Sequence, residues 1–147
     1  MRPWVAALSI AAALAGIDAM QSLRGQTDPQ HAPAIYSAAQ ARGGQSIYVE
    51  KCSECHAESL SGAHGPALIG DQFWAEWNQQ AARRLYGKIR TSMPLNDPGS
   101  LTEKETLAIM AFIFQVNGFP AGVIPIGSAD ALSNLTLQRP PATQRTP

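Results

Sequence analysis

The chain has 147 residues, and its eleven Lys and Arg are balanced by eleven Asp and Glu for a formal net charge of zero. That balance excludes the basic footprint of a nucleic-acid binder and leaves little long-range steering toward any partner. The N-terminus reads as an export signal. Arg2 supplies a short positive region, and Trp4 to Ile17 form an apolar run interrupted only by Ser9 and Gly16, too short for a comfortable membrane span. Ala13-Leu14-Ala15 fits the small-x-small rule and Ala19 is a later candidate, so residues 1–19 are expected to be removed, with cleavage between residues 15 and 20. Membrane contact is expected only if this signal stays uncleaved.

Residues 20–41 are expected to be a flexible linker, because Gln, Ala and Pro dominate from about Gln26 without clear periodicity. A domain over 42–137 follows, and 138–147, with three prolines among polar residues, is expected to be a disordered tail. Within the domain, Gly44, Tyr48 and Cys52 recur every four residues, which puts them along one face of a helix. That helix runs into Cys52-Ser53-Glu54-Cys55-His56, a C-x-x-C-H run, the attachment signal for c-type haem. The two thiols bond the porphyrin vinyl groups, and the histidine becomes the proximal iron ligand. No other cysteine is present, so nothing remains for a disulfide. A redox dithiol would follow a strand, and no strand pattern surrounds Cys52. A zinc site would need Cys55 and His56 on one tetrahedral ion, although neighbouring side chains diverge. One covalently attached haem c is therefore the expected cofactor, and export suits it, since haem c is attached outside the bacterial cytoplasm. A domain this small has a marginal core of its own, and a buried porphyrin would supply much of the missing apolar surface.

The next helical run carries Ala81, Leu85 and Ile89 on one side and ends before Met93-Pro94. Arg83, Arg84, Lys88 and Arg90 on it read as a solvated face. Met93 is the expected sixth iron ligand. His64 lies only eight residues past His56, His31 sits in the Pro-rich segment, and Met110 falls inside a later helix, where it reads as a core filler. That later helix opens with a capping box at Thr102 and Glu105, presents Ile109, Phe112, Ile113 and Val116 as its apolar stripe, and stops at Asn117-Gly118.

The pattern from Gly43 to Gly118 resembles the class I c-type cytochromes. In that family a glycine and an aromatic stand where Gly44 and Tyr48 stand, and the glycine packs against the C-terminal helix. The resemblance implies an all-α cytochrome c fold, with three to five helices wrapped around one covalently bound haem. It implies that the Pro66 carbonyl in Gly65-Pro66-Ala67-Leu68 accepts a hydrogen bond from the other ring nitrogen of His56, orienting it. It also implies that Trp77, rather than Trp74, reaches a haem propionate, with core filling beside the haem edge as the alternative. Met-Pro-x-x-x-Pro-Gly from Met93 and Asn117-Gly118-Phe119-Pro120-Ala121-Gly122 look like the cytochrome domains and subunits of quinoprotein dehydrogenases. Ala57, where glycine often follows the histidine, and Leu95, where a second proline is common, depart from that pattern.

The expected function is periplasmic electron transfer without substrate chemistry. Cys52, Cys55, His56, Met93, Pro66 and Trp77 would hold the haem, with His56 and Met93 on the iron. The expected partners are redox proteins: a dehydrogenase donor, of quinoprotein type on the resemblance, and an oxidase or membrane complex as acceptor. A haem enzyme or gas-binding sensor with an open or labile sixth position is the alternative.

Overall fold

The computed structural model describes residues 34–140. The expected signal peptide, most of the expected linker and the last seven residues lie outside them. The described chain has five helices: α1 (Ala38–Lys51), α2 (Ser53–His56), α3 (Gly70–Trp77), α4 (Ala82–Ser92) and α5 (Glu103–Val116). Two two-residue strands, β1 (Tyr36–Ser37) and β2 (Ala121–Gly122), pair in parallel, and a 3-10 turn spans Ala129–Leu132. The mostly helical expectation holds.

The frame is the packing of α1 on α5. At Gly44, fully buried in α1, an added Cβ would fall inside the Ala108 carbonyl of α5 and 3.0 Å from the Ile109 nitrogen. Only a residue without a side chain lets the two backbones meet there. One turn later Tyr48, also fully buried, tilts against Phe112 with ring centroids 5.3 Å apart. The start of α5 is fixed by the capping box: the Thr102 hydroxyl accepts from the Glu105 N–H at 3.2 Å, and a Glu105 carboxylate oxygen accepts from the Thr102 N–H at 2.8 Å. Two donors that a helix start would leave unpaired are thereby satisfied.

Several boundaries differ from the sequence reading. The expected linker runs to residue 41, yet the chain is already structured at Tyr36, whose hydroxyl donates to the Phe119 carbonyl at 2.7 Å. Ser37 caps α1, accepting from the Gln40 N–H at 3.2 Å. The tie is non-local, between residues 83 apart in sequence, so local composition gives no sign of it. In α4 the buried face is Ala82, Leu85 and Ile89; Ala81 lies outside the helix and forms a bridge to Thr136. In α5 Val116 is exposed and Phe114 is fully buried, because the middle of the helix is covered on nearly every side. The expected tail begins inside the structure: the Arg139 N–H donates to the Asn78 side chain at 3.2 Å, and its guanidinium pairs with Asp71 at 2.6 Å. Just before it, Leu137 exchanges backbone bonds with Gln79 and Gln80 and is fully buried. The last described segment thus closes the α3–α4 connection.

Candidate functional site

Helix α1 delivers the C-x-x-C-H run directly, since the His56 N–H donates to the Cys52 carbonyl at 2.9 Å and continues the chain as α2. The segment after it folds back beneath: the Gly62 N–H donates to the His56 carbonyl at 3.0 Å and the Gly65 N–H to the Cys55 carbonyl at 2.8 Å. This return brings Pro66 under the imidazole, where its carbonyl accepts from His56 Nδ1–H at 2.7 Å. The ring is otherwise buried, at 8% exposure, and Nε2, which carries the lone pair, is the nitrogen left to bind a metal. A Cβ on Gly65 would stand 2.8 Å from the imidazole Cε1, so the loop fits the ring closely only as glycine.

A cavity of about 730 Å³ opens beside this ring, within the roughly 300–1,000 Å³ usual for cofactor sites. Cys52, Cys55, His56, Pro66, Trp77 and Met93 all line it. Six side chains nominated from sequence therefore meet in one place. Much of the remaining wall is apolar, from Leu68, Phe73, Leu85, Ile89, Ile109 and Ile113. Trp74 takes a different position, buried between Phe73 and Phe119 with ring centroids 5.2 and 5.9 Å away, and does not line the cavity. His64 does line it, at the exposed end of the histidine loop, whereas Met110 is fully buried in α5 and stays outside. His31 is outside the described residues.

Burial pushes the Cys52 thiol up to about 11. Lys51 beside it draws the value down and Cys55 raises it. Among the described residues no three His, Cys, Asp or Glu side chains converge to hold a bare metal ion. Two thiols and one imidazole at the edge of an apolar cavity, with a thioether in its wall, are instead the donor set of a covalently held iron porphyrin. The residues present fit that group.

Some contacts had no sequence signal or a different one. Arg84 lies over the Trp77 ring, 5.6 Å from its centroid, while pairing with Glu76 at 3.6 Å. Asn117, which in the sequence marks the end of α5, also donates from Nδ2 to the Leu68 carbonyl at 2.8 Å and so ties the histidine loop to that helix. The Tyr48 hydroxyl donates to the Ala57 carbonyl at 2.6 Å; the spacing marks Tyr48 as a packing residue, and nothing in it marks the bond.

Fold and site together define a c-type cytochrome domain. The family described as cytochrome c oxidase, cbb3-type, subunit III matches residues 39–113, about half of the chain, and the protein belongs to it. It is accordingly a haem c electron-transfer domain of the class I cytochrome type. Among solved structures, the sulfane dehydrogenase SoxCD from Paracoccus pantotrophus is similar at 18% identity, with a TM-score of 0.56 over 74% of this chain and 61% of that one. The chain thus spans about three-fifths of that neighbour, and the likeness shows the fold. Cytochrome cL from Hyphomicrobium denitrificans matches at 22% identity over 55% of this chain and 51% of that one, with a TM-score of 0.43. No curated protein matches the chain. Among the described residues no helix is long and apolar enough to cross a membrane.

Proposed function

We infer that the protein is a periplasmic monohaem cytochrome c that carries single electrons from a dehydrogenase, of quinoprotein type, to an oxidase or membrane-complex acceptor. The observation that carries this reading is the meeting of Cys52, Cys55, His56 and Met93 on one cavity, with the His56 Nδ1–H held by Pro66 at 2.7 Å. Cys52 and Cys55 would bond the porphyrin, and His56 and Met93 would hold its iron. When bound, the haem supplies an iron that holds or releases one electron. The chain's own residues set the conditions. Pro66 fixes the imidazole tautomer and makes the ring more basic. Met93 offers a neutral, soft sulfur that favours ferrous iron over ferric relative to a second imidazole. The apolar wall would keep water from the iron, and Trp77 would offer its N–H to a propionate.

A donor would dock at the edge flanked by the Met93 loop. Leu95, 70% exposed beside Met93 and Pro94 in the cavity wall, is the apolar centre of that surface. The neutral net charge favours short-range docking over steering. The export signal read from sequence supports the periplasm, and the family description, which names an oxidase subunit, supports an oxidase as acceptor.

Acid-acetone extraction of the purified protein tests attachment: the haem is expected to stay with the polypeptide, and free passage into solvent would overturn it. Redox-resolved spectra test ligation. Low-spin six-coordinate iron with the weak far-red band of a methionine sulfur is expected, lost in Met93→Ala and retained in Met110→Ala. High-spin iron or tight carbon monoxide binding in the unmodified protein would point to a haem enzyme or gas sensor instead.

A further inference from the structure

His56 is held from two directions, and only one of them is a contact to its ring. The second acts on the main chain just beyond it, where Ala57 has φ 62 and ψ 153. Glycine enters this backbone region readily and alanine rarely does. Rotation of the peptide would relieve the alanine, but it would carry away the Ala57 carbonyl, to which the Tyr48 hydroxyl donates at 2.6 Å. Tyr48 cannot follow such a movement. Its ring is fully buried against Phe112, on a helix whose Gly44 abuts the backbone of α5. Burial also holds the phenol well above its usual titration range, so the hydroxyl remains a donor.

We propose that Tyr48 is a positioning residue for His56: its hydroxyl holds Ala57 in a strained backbone conformation and thereby fixes the imidazole beneath the Pro66 carbonyl. This rests on reading His56 as the iron ligand. The α1–α5 frame is then connected to the metal through one hydroxyl. Without it, the peptide after His56 relaxes, and the Nδ1–H to Pro66 bond lengthens. A less tightly held Nδ1–H leaves a less basic ring, which stabilises ferric iron less and so raises the potential.

The experiment uses the full-length haem-loaded protein and two variants. Tyr48→Phe keeps the ring and its Phe112 contact and removes only the hydroxyl. A potential shifted upward is expected, together with exchange of the His56 Nδ1 proton with solvent roughly three- to tenfold faster, the factor one neutral hydrogen bond can supply. Ala57→Gly keeps the carbonyl and its bond while removing the strain, so it should melt higher with potential and exchange at their original values. A Tyr48→Phe protein that melts lower but keeps both the original potential and the original exchange rate would reduce Tyr48 to packing and overturn the proposal. If that variant does not retain haem, NMR of the unmodified protein decides: a slowly exchanging Tyr48 hydroxyl proton supports the clasp, and rapid exchange overturns it. Failure of the underlying reading appears elsewhere, in the unmodified protein, as extractable haem or iron without an imidazole ligand.

Discussion

The loop that carries His56 and the loop that carries Met93 line the same cavity, yet they are secured in different ways. The first is tied to two other parts of the fold, to α1 through Tyr48 and to the end of α5 through the bond from Asn117 to the Leu68 carbonyl, and to itself through Leu60 and Leu68. Among the described residues, the second is bonded within its own turns, Asp97 to Pro94 at 3.0 Å and Ser100 to Asp97 at 3.3 Å, and to the adjoining α4 alone, through the Met93 N–H to the Ile89 carbonyl at 3.2 Å and Arg90 to the Gly99 carbonyl at 2.9 Å. Residues 95–100 are exposed throughout. On the histidine side, fold and site share their bonds, so damage to one is damage to the other. On the methionine side the site can be altered while the frame stays intact, which suits a surface that partners must touch.

The largest expected effect removes the contrast by striking the frame beneath both loops. Gly44→Val puts a β-branched side chain where two backbones meet, and a loss of about 3 kcal/mol or more is expected, at the upper end for overpacking. Thermal melting by circular dichroism measures it, and an unchanged Tm would mean that α1 and α5 do not meet at this face. A more local change sharpens the contrast. Gly65→Ala places a methyl 2.8 Å from the His56 ring, and should cost about 1–3 kcal/mol while also displacing the imidazole. Stability and the ferric spectrum are then expected to change together, and a shift in Tm with an unaltered spectrum would separate what this comparison joins.

A smaller effect concerns the cap of α5 and depends on pH. Backbone and side-chain hydrogen bonds from Thr102, with Lys51 nearby, hold the Glu105 carboxyl below its ordinary value of about 4.5, outweighing a small desolvation cost. The folded form therefore favours the carboxylate. The stabilisation is complete above the ordinary glutamate range and is lost as pH falls through the lowered folded value. Denaturation measured from neutral pH downward should show a shallower acid loss in Glu105→Gln, and Thr102→Ala should cost about 1 kcal/mol at neutral pH, as helix caps do. Parallel acid limbs in Glu105→Gln and the unmodified protein would exclude this linkage.

What the sequence revealed of this arrangement depended on whether a signal was local. Thr102 and Glu105 announce a cap within four residues, and Cys52, Cys55 and His56 announce their chemistry within five. Met93 is nominated by eliminating His64, His31 and Met110, because methionines and histidines are few, and the structure places it in the cavity wall. The links between distant segments left no such trace. Tyr36 and Arg139 are tied to partners 83 and 61 residues away, and so the two segments read as linker and tail. Val116 fits the period of α5 but projects beyond the covered part of the helix. Ala57 illustrates the limit best: its departure from the glycine common at that place is visible in the sequence, whereas the positive φ and the hydroxyl that meets its carbonyl are properties of the folded chain alone.

The smallest expected change in stability belongs to the methionine loop, and there the contrast is most exposed to failure. Leu95 makes the loop's largest apolar surface, and with 70% of it open to solvent its removal leaves no core cavity. Leu95→Ala should therefore alter unfolding free energy by no more than about 0.5 kcal/mol, the range for exposed positions free of special contacts. Its effect should appear in transfer instead. Transient redox contacts are small, below about 1,200 Å² in total, so one apolar side chain near the centre is a substantial share of the contact. Mixing the oxidised protein with a reduced quinoprotein dehydrogenase from the same source, and following haem reduction by stopped flow, should show a slower second-order rate for Leu95→Ala with the far-red band unchanged. The rate should vary only weakly with added salt, since neither the neutral net charge nor the apolar contact relies on steering. An unchanged rate would move the docking surface away from the Met93 loop. A marked loss of stability would show that this loop, like the one carrying His56, is part of the frame.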